Sequence, residues 1–193
     1  ATLAVSDFLA GSASTNTAFT FSNAQTIPST IAIRATDANA SSSGFAEGTM
    51  KIFSGRLSLQ NANGSELQDL PVPLHTEFWN GSSYELNSTD NCTSVTVPTA
   101  SSGMTFGNPL NAGQSTASIN GASAGDGEIL LGDGQLLLSK PGMGNTGYVD
   151  ITIDAPTWLE FNWQGAGNTD PKARATFGIY KGDPKQIYFR EVY

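Results

Sequence analysis

One histidine and one cysteine limit the chemistry open to this 193-residue chain. A Ser-His-Asp arrangement needs an imidazole as its base, and His75 is the only one available. No Gly-X-Ser-X-Gly turn accompanies it, and strand alternation sets it on the face opposite Val72, Leu74 and Phe78, so it reads as a surface histidine. Paired carboxylates offer a second route, because glycoside hydrolysis needs two acids roughly 5 to 10 Å apart. Glu77 lies beside Trp79, and Glu160 beside Trp158 and Trp163, yet both acids also fill outward polar positions that alternating strands require. The expectation is a protein without enzymatic activity.

Other residue types point to binding. Asp126, Glu128 and Asp133 cluster among glycines, and Thr89-Asp90-Asn91 adds hard oxygen donors, which makes Ca2+ the metal these residues would favour. The spacing fits neither the EF-hand nor the nine-residue calcium repeat, and turn formation accounts for the same residues. Trp79, Tyr84 and Trp158 are the candidate ligand-binding aromatics, able to stack on a sugar, with Trp79 and Trp158 out of phase with their apolar neighbours. Trp163, in phase with Leu159 and Phe161, is assigned to the core. Cys92 excludes an intrachain disulfide and a four-cysteine zinc site. It is expected as a small buried hydrophobe, with an intermolecular bridge or a thioester as alternatives.

The elements that must position these residues are strands. Phe19 and Phe21, Ile31 and Ile33, Leu57 and Leu59, and Val149, Ile151 and Ile153 each alternate with polar residues. Val72, Leu74, Thr76 and Phe78 share one face of a longer run, with Pro71 and Pro73 pushing its start toward a sheet edge. That run closes at Asn80-Gly81, a hairpin signal leading into Ser83 to Leu86. The triplets Ile129 to Leu131 and Leu136 to Leu138 are expected in the core, and Leu159 to Trp163 as a further strand. With a terminal hairpin turning at Gly182-Asp183-Pro184, about ten short strands result. The fold class is all-β, an antiparallel β-sandwich of immunoglobulin-like or jelly-roll (Greek-key) type with almost no helix. The Asp37 to Gly48 stretch is the best linker, dividing an N-terminal β segment (1–45) from the main body (46–193). Thr99 to Gly127 reads as a surface excursion or as a place where weak strands hide.

Composition sets the location. Only 13% of residues are charged, 38% are hydrophobic, and Gly, Ser, Thr, Asn and Ala fill most of the rest, as in an exported β protein. A net charge of −8 argues against nucleic-acid partners. No apolar run approaches the roughly 20 residues of a membrane-spanning helix. The start at Ala1, without initiator Met or targeting segment, suggests a chain processed or excised from something longer. Five of the nine basic residues fall in 172–193, giving the end of an otherwise acidic chain a local positive charge. In the last strand Ile187 and Phe189 share one face and Tyr188, Arg190 and Val192 the other, ending at Tyr193. Both faces are bulky, so this strand is expected inside a sheet or completing a partner's sheet, which would allow an oligomer or a homopolymeric filament.

Gly55-Arg-Leu-Ser-Leu-Gln-Asn-Ala-Asn-Gly-Ser-Glu-Leu67, Leu70-Pro-Val-Pro-Leu74 with Phe78-Trp-Asn-Gly81, and the terminal Arg174-Ala-Thr-Phe-Gly-Ile-Tyr-Lys-Gly to Ile187-Tyr-Phe-Arg-Glu-Val-Tyr193 resemble a known family. It is the C-terminal domain of MshQ-like proteins, associated with biogenesis of the mannose-sensitive haemagglutinin type IV pilus in Gram-negative bacteria. The likeness covers about residues 50 to 193 and extends to Asn87-Ser-Thr-Asp-Asn-Cys-Thr93 and Pro141-Gly-Met-Gly-Asn-Thr-Gly147. It implies export, association with a pilus or cell surface, and a part in adhesion or assembly through pilus proteins, other surface proteins or glycans. It supplies no catalytic residues.

Overall fold

The computed structural model describes residues 2–10, 12–16, 26–45, 47–163 and 165–178. The second strand of the expected terminal hairpin, with Ile187, Tyr188, Phe189, Arg190, Val192 and Tyr193, lies outside the described residues, as do Phe19 and Phe21. Among the described residues the fold is all-β, with one short 3-10 turn at Val5–Asp7 and no helix long and apolar enough to cross a membrane.

The chain divides into two compact units, Ala1–Ser54 and Gly55–Tyr193. In the first, β1 (Ser29–Ile33) pairs antiparallel with β2 (Gly48–Ile52). The Asp37 to Gly48 stretch, expected as a linker, is the connection of this hairpin, bridged by Thr36 and Ser41.

The second unit holds the core. Its strands are β3 (Gly55–Leu59), β4 (Ala62–Gly64), β5 (Leu70–Val72), β6 (Leu74–Trp79), β7 (Tyr84–Leu86), β8 (Ser94–Thr96), β9 (Met104–Gly107), β10 (Ala117–Ile119), β11 (Asp126–Glu128), β12 (Leu136–Leu138), β13 (Gly147–Thr152) and β14 (Lys172–Phe177). They form sheets in the orders β4-β14-β13-β9, β3-β6-β7 and β10-β12-β5, with β11 paired to β8. The apolar faces of these sheets meet in one core, an antiparallel β-sandwich without barrel closure. The pairing of β14 with β4 is parallel, an exception the sequence pattern did not signal.

Alternation explains the packing. In β13, Val149 and Ile151 point inward with no exposed surface, facing the small Ala175 and Ala173 of β14, so large and small side chains interlock across the register. Leu136 and Leu138 of β12 sit between Val72 and Leu70 of β5 and Ile119 and Ala117 of β10, all buried. Each such aliphatic side chain contributes roughly 1.5–3 kcal/mol by leaving water.

Several expectations change. The run from Val72 to Phe78 is two strands in two sheets: Pro73 has no amide proton to continue a ladder, so the chain changes sheet there, and β5 becomes the edge of its sheet. Leu130, Leu131 and Leu137 are exposed, so the two apolar triplets are half inside rather than fully so. Leu131 and Gly132 form a two-residue turn with φ of 53° and 80°, closed by reciprocal Leu130 and Asp133 backbone bonds of 3.0 Å. The Leu159 to Trp163 stretch is not a strand: Leu159 donates to Pro156 in a turn, and only Phe161 bridges, to Thr169. The Thr99 to Gly127 tract hides the short strands β9, β10 and the start of β11.

Glycine decides one contact. The Tyr148 ring of β13 lies across Gly107 of β9, directly opposite in register, and a Cβ there would land inside the ring. On the ring's other neighbour, the Arg174 guanidinium sits 3.8 Å from the Tyr148 centroid while binding Asp150 through two bonds of 2.6 and 2.8 Å. Gly107→Ala should displace Tyr148 and destabilise by about 1–3 kcal/mol in urea unfolding, as overpacking does; an unchanged midpoint would show that the ring has room to move.

Candidate functional site

The candidate recognition surface is the outward face of β3, β6 and β7. Their antiparallel register sets Arg56 opposite Glu77, Ser58 opposite His75, and Trp79 opposite Tyr84. The turn joining β6 to β7 is held by Asn80, whose Oδ1 accepts the Ser82 and Ser83 amides at 2.8 and 2.9 Å. On the far side of β3, the Leu57 amide donates to the Leu159 carbonyl at 2.9 Å, fixing the 159–163 segment alongside. That segment brings Phe161 and Trp163 to the same face as Tyr84.

Four rings form a row. Trp79 meets Tyr84 at 5.2 Å and 60°, Tyr84 meets Phe161 at 5.3 Å and 77°, and Phe161 meets Trp163 at 5.0 Å and 72°. These are edge-to-face geometries, in which each positive ring edge meets a negative ring face. The Arg56 guanidinium lies 3.8 Å from the Tyr84 centroid, 4.8 Å from Trp163 and 5.1 Å from Phe161. Its Nε donates to Glu77 Oε2 at 2.7 Å, with the two side chains only 20% and 13% exposed. Three rings and a carboxylate thus hold one cation in a partly dry setting, where cation–π attraction reaches about 1–2 kcal/mol. Burial raises the Tyr84 phenol above its usual range, the Arg56 charge opposes that rise, and Glu77 adds to it.

Of the expected aromatics, Trp79 and Tyr84 therefore belong to the row. Trp158 does not: it is 75% exposed and stands apart from these ring contacts. Trp163, assigned to the core by phase, is at the surface because its segment turns instead of running as a strand. Phe161 and Arg56 are members that sequence reasoning missed. Arg56 enters through the strand register, which puts the basic residue of β3 against the acid of β6 and is visible only in the fold.

The remaining candidates separate. His75 Nε2 is 3.8 Å from Asp133 Oδ1, beyond hydrogen-bond reach, and no hydrogen bond joins the Ser58 hydroxyl to the ring. Asp126 Oδ1 accepts the Thr96 hydroxyl at 3.0 Å, Glu128 pairs in register with Ser94, and Asp133 Oδ1 accepts the Gln135 amide at 2.8 Å. Asp126 and Asp133 thus bond to different partners, and among the described residues no group of three or more His, Cys, Asp or Glu side chains could hold a metal ion. A cleft of about 340 Å³ lies elsewhere, lined by Thr96, Ser102, Thr105, Thr152, Asp154 and Asp170.

Cys92 is exposed, not buried as expected. The buried member of its loop is Asp90, 8% exposed, whose Oδ1 accepts the Cys92 and Thr93 amides at 3.2 and 3.0 Å. The Asp90 and Asn91 segment is further tied to the 130–133 turn: Gly132 donates to the Asp90 carbonyl at 3.0 Å and Leu131 to Asn91 Oδ1 at 2.9 Å. A side chain at Gly132 would meet the Asn87 carbonyl at 2.6 Å. Burial pushes the Asp90 carboxyl up, but the Thr93 side chain, the Cys92 amide, the Thr76 hydroxyl and the Thr93 amide together hold it below the usual carboxylate range. The buried Thr76 hydroxyl acts on this carboxylate without meeting hydrogen-bond geometry.

Residues 53–192 match the family model described as DUF6701, fourth domain. The chain belongs to this family. No curated protein and no solved structure matches it. The aromatic row, the Asp90 loop and the sandwich core all fall within the DUF6701 fourth domain, whereas β1 and β2 precede it.

Two outcomes follow for this domain. A carboxyl whose folded pKa lies below its unfolded value of 3.8 stabilises fully above that value and loses the contribution as pH falls through the folded pKa. Asp90→Asn should therefore cost about 1–3 kcal/mol at pH 7, with the gap to wild type closing below about pH 4; a constant gap from pH 7 to pH 3 would contradict the assignment. Arg56→Ala should cost about 1–3 kcal/mol and shift the emission of Trp79 and Trp163, whereas Arg174→Ala, on the more exposed pair, should cost less. Equal effects in thermal melts would remove the special standing of Arg56.

Proposed function

We propose that the chain is a non-enzymatic domain of an exported, MshQ-like protein of the bacterial surface, acting through contacts with pilus or other surface proteins or as a scaffold for them. The observation that carries this reading is the row Trp79, Tyr84, Phe161 and Trp163 around Arg56. Trp, Tyr and Arg are the residues that dominate protein interfaces, because they combine large apolar area with directed polar contacts. Here they are held in place before any partner arrives, which lowers the ordering cost of binding. Support for the cellular setting comes from the motif resemblance within 55–81 and at the chain end, and from a surface poor in charge and rich in Ser, Thr and Asn.

A second reading is favoured by one detail of the same face. Trp79 and Tyr84 are half-exposed and sit beside the polar Glu77 and Arg56, the combination of stacking ring and hydrogen-bonding groups that sugars require. The domain would then be a carbohydrate-binding module of the same surface protein.

Trp79→Ala and Trp163→Ala in the native host should lower surface attachment or pilus display at least about tenfold while export and circular dichroism stay normal. Trp158→Ala serves as the control and should leave both unchanged. Glycan-array binding by the purified domain that is lost with Trp79→Ala would favour the second reading. Normal attachment and display by both row variants, or a protein confined to the cytoplasm, would overturn the proposal.

A further inference from the structure

Among the described residues, β1 and β2 form a sheet of only two strands. Its register puts Ser29, Ile31 and Ile33 on one face with Ile52, Met50 and Gly48, and Thr30 and Ala32 on the other with Lys51 and Thr49. The alternation is that of a sheet with one buried and one wet face. Yet much of the apolar face is exposed: Ile33 is 51% exposed, Met50 47%, and Ile27, just before β1, 59%, while Ile31 and Ile52 are half-buried. Among the described residues each strand pairs only with the other.

Local bonds set the hairpin's far end without covering that face. Arg34 donates to Glu47 through two bonds of 2.7 and 3.1 Å, and Ser42 donates to Glu47 Oε1 at 2.8 Å. Two strands with an uncovered apolar face are marginal in water; stability needs further strands or a facing layer. A sequence that keeps strict alternation, a bidentate ion pair and a defined register is one selected to be completed.

The family match identifies what completes it. The matched region begins at residue 53, immediately after β2 ends at Ile52, so the hairpin is not part of the fourth-domain pattern. The family description numbers this domain fourth. We infer that β1 and β2 are the closing hairpin of the domain preceding the fourth, and that the face formed by Ile31, Ile33, Met50 and Ile52 packs against strands of that domain, supplied by the polypeptide N-terminal to residue 1. Those strands would present apolar side chains to this face and pair their backbones with an open edge of β1 or β2.

Amide hydrogen exchange tests this on the full-length protein and on the 193-residue chain side by side. Peptides covering 29–33 and 48–52 should exchange at least about tenfold more slowly in the full-length protein, with the core peptides of β12 and β13 unchanged between the two. Met50→Glu in the full-length protein should return the hairpin to fast exchange and leave β12 and β13 protected. Equal exchange in both proteins would overturn the inference, whether the hairpin is open in each or protected in each. Protection in the 193-residue chain that rises with concentration, together with a dimer mass, would overturn it in favour of a second copy. A coding sequence with no domain upstream would do the same.

Discussion

The ring-lined face of β3, β6 and β7 depends on one cross-strand pair, Arg56 of β3 opposite Glu77 of β6. The carboxylate fixes the guanidinium, and the guanidinium in turn gives three rings from two separate chain segments a common centre. Without that cation, Tyr84 of β7 and the 161–163 segment would share only ring-edge contacts, each worth about 1 kcal/mol. The pair is placed by strand phase: the pleat that turns Leu57, Leu74 and Thr76 inward turns Arg56 and Glu77 outward, so core and site are two readings of one register. A one-residue slip would bury the charges and expose the leucines, which is why the register is strongly specified.

The same device recurs on β13 and β14, where Arg174 faces Asp150 and lies 3.8 Å from the Tyr148 ring. The difference is solvent. Arg174 and Asp150 are 50% and 44% exposed, so water screens them, while Arg56 and Glu77 keep most of their mutual attraction. Two chemically alike triads thus have different standing: one dresses the surface, and the other gathers three rings around a half-buried cation.

The strands were legible where side chains alternate strictly, as in Val149, Ile151 and Ile153, because period two has no other common cause. They were illegible where phase depends on distant partners. Leu159, Phe161 and Trp163 alternate as a strand would, yet Pro156 starts a turn and only one bridge forms, which carries Trp163 out of the core. The short strands inside Thr99 to Gly127 contain few apolar residues and owe their pairing to neighbours far along the chain. Trp79 could be named from phase alone, but Arg56 could not, since its role needs the register of β3 on β6 and the bond from Leu57 to Leu159. Cys92 drew notice by being unique, whereas the buried, multiply bonded group in its loop is the neighbouring Asp90.

The claim on which the functional reading rests is that Arg56 is clamped amid Tyr84, Phe161 and Trp163. The side-chain resonances of Arg56 in a solution NMR spectrum report this directly, because protons near ring faces are shifted upfield and a hydrogen-bonded Nε–H exchanges slowly with water. The account predicts an Arg56 Nε–H that is observable at neutral pH, with δ protons well upfield of the random-coil arginine position. Random-coil shifts and a rapidly exchanging Nε–H at Arg56 would contradict it.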